Sequence, residues 1–211
     1  MSRSRFDHLL AESEPDVVRA AIVSALRAAV EAAGDSYQYG QPRTDNVTFG
    51  NDLWRFVWHE MGEQLGALPG ATVTHPRNSF LVDLGPAAVY PFRYGPDRST
   101  DVMSYRMVDS EFRRDLLVDP CTEPPLFWPE VVLVPYAANP NAGLVRAFVG
   151  GATIGEDNKL VWRWLEELDL GGVPDGGRRG LTDLELRPEF AQAPEPTLGM
   201  ALLDDDGTAS A

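Results

Sequence analysis

Helical spacing would place His59, Glu60 and Glu63 within about one turn of each other in the stretch His59-Glu60-Met61-Gly62-Glu63-Gln64-Leu65-Gly66. Residues four apart are neighbours on a helix face, so His59 and Glu63 are spaced to hold a zinc ion. Glu60 between them is then placed as a base for bound water, and His75 is available as a remote third ligand. Arg55, four residues before His59, sets a positive charge beside any cation held there. The favoured reading of this group is therefore a solvated helix face with a His59–Glu63 contact. A second set joins Glu60 on the same helix to Asp83 and Arg93 on the strands that follow, two carboxylates able to hold a metal and one cation. The plainer reading of Asp83 and Arg93 is a cross-strand ion pair.

The elements that must position these residues run from Gly50 to Gly95. Leu53, Trp54, Val57, Trp58, Met61 and Leu65 recur at helical spacing and predict a helix over about 51–65, with the two tryptophans as its core anchor and Gly66 as its stop. From residue 71 the period shortens. Runs at 71–75, 80–84 and 87–94, separated by Pro76, Gly85-Pro86 and Gly95-Pro96, predict three strands of an antiparallel meander. Pro91 lacks an N–H, which predicts an edge position or a bulge at that point.

The stretch His59 to Gly66 resembles the helical signature of zinc metallopeptidases, with Glu63 where that signature has its second histidine. The order helix, three strands, helix, strand over 51–135 resembles the core of the restriction-endonuclease-like nucleases, which implies magnesium acids at Glu60 and Asp83. The third strand of that family carries an acid, a spacer and a lysine; here it reads Tyr90-Pro91-Phe92-Arg93-Tyr94, without the acid and with arginine for lysine. The resemblance therefore implies a scaffold that has lost cleavage.

The composition sets the frame for these candidates. A chain of 211 residues with 44% hydrophobic and 24% charged residues suits one soluble globular domain with ornaments, and 19 Gly with 17 Pro make it loop-rich. The formal net charge of -14 repels phosphate backbones and anionic membranes, which disfavours nucleic acid as a partner. Lys159 is the only lysine among many arginines, alanines, glycines and prolines, a bias expected of a bacterial or phage source with a GC-rich genome. With Cys121 as the sole cysteine there is no internal disulfide or thiolate metal cluster, and without a secretory core or a membrane-length apolar run the chain reads as cytoplasmic. Cys121 itself reads as inert packing.

Around the central stretch, Ser13-Glu14-Pro15-Asp16 predicts a helix start and Gly34 its stop, with Val18, Ile22, Ala25, Leu26, Ala29 and Ala33 on one face. Residues 36–49 read as a polar connection with Tyr37 and Tyr39 packed on a nearby helix. Residues 110–118 predict a short helix, 120–129 a rigid proline-rich connection, and 130–135 a buried strand. Leu144, Val145, Phe148 and Val149 have helical spacing after a turn at Asn139-Pro140-Asn141. Residues 156–168 fit a helix, which is favoured, or a hairpin turn at 156–159 leading into a strand with Trp162 and Trp164 on one face. Gly150 to Gly155 lacks the flanking strand and helix of a nucleotide loop.

The expected architecture is α+β: two amphipathic N-terminal helices packed on a small, mainly antiparallel sheet, within a single domain over 1–170. Residues 171–190 read as a linker with a possible edge strand, and 191–211 as a disordered acidic tail in which Leu198 to Leu203 is an apolar patch. The expected function is a non-catalytic interaction or regulatory protein, of the immunity or accessory type, that recognises another protein and needs no cofactor. The competing expectation is a metal-dependent hydrolase or nuclease using zinc or magnesium.

Overall fold

The structure, a computed structural model, describes residues 4–11, 13–41, 45–108, 110–117 and 130–171. Ser4 opens it with a capping box: its Oγ accepts from the Asp7 N–H at 3.1 Å and the Asp7 carboxylate accepts from the Ser4 N–H at 3.2 Å. The short helix Arg5–Leu9 (α1) follows and buries Phe6. Pro15–Tyr39 (α2) comes next, with Pro15 in its first turn and Val18, Ile22, Ala25, Leu26, Ala29, Val30 and Ala33 buried along one face. Asp45 caps Asn46–Gly66 (α3), accepting from the Val47 and Thr48 N–H groups at 3.0 and 2.8 Å.

Helix α2 runs through Gly34 rather than stopping there, and the expected polar connection at 36–49 is shorter than the sequence spacing indicated. A mid-helix glycine costs only about 1 kcal/mol, and packing beyond it offsets that. Ser36 donates to Asp52 at 2.8 Å, and the Tyr37 ring meets Phe49 edge-on at 6.1 Å. Tyr39 is exposed instead of packed.

Arg19 ties α1 and α2 to Glu166, distant in sequence. It pairs with Asp7 at 2.6 Å, Asp16 at 3.2 Å and Glu166 at 3.4 Å, and its guanidinium lies 4.6 Å over the Phe6 ring. The hydrogen bond from Arg19 holds the Asp7 carboxyl below its ordinary value, and the one from Arg146 does the same for Glu167. A carboxyl whose folded pKa is depressed contributes stability above its unfolded pKa and loses it as pH falls through the folded value. The melting temperature is therefore expected to fall as pH drops below about 4, and to fall less in Asp7→Asn, which takes up no proton there. Equal pH dependence in both proteins would remove Asp7 from that account.

The sheet comprises Thr72–Thr74 (β1), Leu81–Asp83 (β2), Ala88–Gly95 (β3), Val131–Asn139 (β4), Gly143–Ile154 (β5) and Leu160–Glu167 (β6), ordered β1-β2-β3-β4-β5-β6. Neighbours are antiparallel except β3 and β4, which run parallel and are joined through Glu111–Leu116 (α4). The protein is thus α+β, with a mixed, mostly antiparallel sheet. Val82, Val89, Val132 and Val134 pack with α1, α2 and α3. Leu81, Tyr90, Phe92 and Leu133 pack on the opposite face with Val102, Met107, Phe112 and Leu116. Covering on both faces explains why Val131 to Ala138 is buried throughout.

Two expected helices are strands. Residues 144–149 lie in β5 because Asn139-Pro140-Asn141 is a hairpin turn: Asn139 Oδ1 accepts from the N–H groups of Asn141 and Ala142, and Gly143 takes a φ of 72°. Residues 160–167 form β6 because Asp157 and Asn158 adopt positive φ, turning the chain back on itself. In β5 apolar residues three and four apart arise because the middle of the strand is buried on both faces, and in β6 because a bulge interrupts the alternation of a half-exposed strand. Trp162 and Trp164 do not share a face either. A bulge sets Trp162 opposite Ala152 and Trp164 opposite Gly151, leaving Arg163 extra. Trp162 therefore packs on the α4 side and Trp164 on the helix side.

Gly150 and Gly151 sit within β5, not in a loop. The expected proline-rich connection with Cys121, the linker from 172, the tail and its Leu198–Leu203 patch lie outside the described residues.

Candidate binding cleft

The bonded register of β2 on β3 ends at Val82 and Val89 and β2 itself begins at Leu81, opposite Tyr90, so from Pro91 to Gly95 the side of β3 away from β4 has no strand beside it among the described residues. The Ala88 N–H donates across to Glu130 on the β4 side. Alternation along the strand then turns Pro91 and Arg93 toward the open side. Pro91 has no N–H to leave unmet there, and the register shifts between Arg93 and Gly95. The expectation of an edge or a bulge at Pro91 is met by an edge at the proline and a bulge just beyond it.

Helix α3 runs beside this edge. Phe49, Leu53, Val57, Met61 and Leu65 form its buried seam. Trp54 and Trp58 each follow a seam residue by one position, which rotates them about 100° from the seam centre. The core anchor expected from the sequence is met only in part, since Trp58 packs partly buried against the core and Trp54 does not. Trp54 is 49% exposed, its ring centroid is 3.8 Å from that of Trp58, and Trp58 stacks on Phe80 at 5.6 Å.

Between α3 and β3 lies a cleft of about 1250 Å³. One wall carries Asn46, Gly50, Asn51, Trp54 and Trp58; the floor is Tyr90 to Pro96; Tyr105, Arg113, Tyr136 and the turn at 139–142 close the remainder. The Arg93 Nε donates to the Ala138 carbonyl at 3.1 Å, and the guanidinium carbon lies 5.7 Å from the Phe49 ring centre. Burial lowers the Arg93 pKa without approaching neutrality, since arginine stays protonated in proteins. Arg113 donates from Nε to the Tyr90 hydroxyl at 3.2 Å and from a terminal nitrogen to the Val108 carbonyl at 2.9 Å. Among the described residues no carboxylate pairs with either arginine. Burial raises the phenols of Tyr94, Tyr105 and Tyr136, and the buried Tyr94 hydroxyl has no partner among the described residues.

The residues singled out by sequence are dispersed around this cleft, and only Arg93 lines it. His59 and Glu63 are exposed on α3, and Glu60 accepts from Gln64 at 3.3 Å. His75 is exposed, with its ring 6.2 Å from Trp58 and 5.7 Å from Phe80. Asp83 accepts from the Gly85 N–H at 2.8 Å, and its register partner Ala88 is five residues from Arg93, roughly 16 Å along the strand. The expected cross-strand Asp83–Arg93 pair is therefore not formed. Among the described residues no three His, Cys, Asp or Glu side chains are grouped to hold a metal ion. Arg113, Tyr105 and Tyr136 carry no signal in the sequence because a helix, a loop and a strand bring them together from distant positions. The usable signal was Pro91.

Fold and cleft together define an α+β protein with an aromatic, arginine-bearing groove beside an open strand edge. No protein-family model, curated protein or solved structure matches the chain. Among the described residues no helix is long and apolar enough to cross a membrane.

Proposed function

We propose that this chain is a non-catalytic interaction or regulatory protein, of bacterial or phage origin and acting in the cytoplasm, that recognises another protein. The observation that carries this reading is the chemistry of its cleft. The described lining residues are aromatic, aliphatic, amide and guanidinium groups, with no Asp, Glu, His, Lys, Ser, Thr or Cys among them. Such walls provide contact area and hydrogen-bond donors but no nucleophile, and the raised tyrosines are poor bases at neutral pH. Half-exposed Trp54 beside Trp58 supplies the rigid aromatic surface that protein interfaces favour. The net charge of -14 supports a protein partner over a polyanion.

A photo-crosslinking residue in place of Trp54, expressed in the source organism, is expected to capture a discrete protein. Zinc, manganese and magnesium are expected to leave the melting temperature unchanged. A thermal shift with one of these ions that Glu60→Ala abolishes would overturn the reading in favour of a metal-dependent hydrolase or nuclease.

A further inference from the structure

Two guanidinium groups stand in a cleft that has no carboxylate among its described lining residues, in a chain whose formal net charge is -14. Local and global fields have opposite sign. A long polyanion would be opposed by the net negative charge of the chain, whereas one short anionic group entering the cleft meets the two guanidinium groups where water is partly excluded. Arg93 is anchored for that purpose. Its Nε is committed to Ala138 and its side chain rests by Gly50, where a Cβ would lie 3.7 Å from a terminal nitrogen. A planar fork held in this way is suited to a carboxylate.

The shape of the site favours a peptide over a small molecule. Its volume of about 1250 Å³ exceeds the usual range of roughly 300–1000 Å³ for small-ligand pockets. The open edge from Pro91 to Gly95 runs roughly 16 Å along the floor. The Pro91 carbonyl and the Arg93 N–H and carbonyl face that open side by strand alternation, so an extended backbone laid there finds partners. Alternate side chains would then fall toward Arg93 and the tryptophans or toward Tyr90 and Arg113.

We propose that the cleft receives an extended segment of a partner protein, about five to seven residues long, that lies beside β3 and seats an aspartate or glutamate side chain on Arg93. This rests on the reading of the chain as a protein-binding protein.

The test is selection on the full chain from a displayed random heptapeptide library flanked at both ends, followed by titration of enriched peptides, acetylated and amidated, against tryptophan fluorescence. The expected result is a shared acidic position whose change to Asn or Gln weakens binding at least about tenfold, as for loss of a charge-assisted bidentate contact. Arg93→Gln should weaken the acidic peptide equally, with no further loss when both changes are combined. Gly50→Leu keeps Arg93, improves helix propensity and fills the cleft beside the guanidinium, so it should abolish binding with the melting temperature retained. Peptides without an acidic position, an acid dependence that survives Arg93→Gln, or equal enrichment on wild type and Gly50→Leu would each overturn the proposal. If a protein crosslinks at position 54 while no acid dependence appears, the occupant is wrong and the protein-binding reading stands. A metal-dependent shift lost in Glu60→Ala overturns the reading and the occupant with it.

Discussion

Phe49→Ala is expected to lower stability by about 3–5 kcal/mol, the range for a fully buried phenylalanine truncated in a packed core. Phe49 is fully buried in the first turns of α3, begins the seam continued by Leu53, Val57, Met61 and Leu65, and meets Tyr37 of α2 edge-on at 6.1 Å. Its ring also lies beneath Arg93. Truncation therefore removes buried apolar area, leaves a void between the two long helices and takes one support from the arginine in the cleft. Urea unfolding checks this, with a lower midpoint and an unchanged slope. A loss below about 1 kcal/mol, far short of the range for such a truncation, would mean that the α2–α3 junction is not packed around this ring.

Gly150→Val is expected to cost about 3 kcal/mol or more, at the upper end of overpacking effects. A Cβ at Gly150 would stand 2.7 Å from the Trp162 ring, 2.8 Å from Leu165 Cδ1 and 2.8 Å from the Trp164 carbonyl oxygen. The carbonyl cannot give way without disturbing the β5–β6 ladder, in which Gly150 faces Leu165. Thermal unfolding should show a large drop. A melting temperature within error of wild type would mean that β6 is not paired with β5 in this register.

The parts of the fold legible in the sequence were those with local signals. Proline and glycine punctuation marked β1, β2 and β3, and the 130–135 run marked β4. Ser110 before Phe112 and Leu116 marked α4, where the Ser110 hydroxyl accepts from the Arg113 N–H at 3.2 Å. The sequence pattern failed at β5 because its middle is buried on two faces and loses alternation, and at β6 because the bulge at Arg163 places Trp162 and Trp164 on opposite sides. No local pattern could have marked that bulge.

The site was less legible than the fold. Sequence reasoning drew its candidates from titratable spacing on α3, which lies mainly on that helix's exposed side at His59 and Glu63. Arg93 was found, but for the wrong partner, since Asp83 sits too far along the strand. The cleft depends on where β2 stops short of β3, a long-range property. Tyr105, Arg113 and Tyr136 become neighbours only once the β3–α4–β4 crossover is folded.

Pro91 also bears on how copies of this chain meet one another. An open strand edge is a template for uncontrolled self-pairing, and continuous ladders between identical edges lead to fibres. Two copies of β3 laid edge to edge in register would each bring a proline ring where a donor is needed, and each would bring Arg93 against its own kind. The same edge that can accept a short acidic strand is thereby closed to its twin, so selectivity against homotypic aggregation is written into Pro91 and Arg93 together.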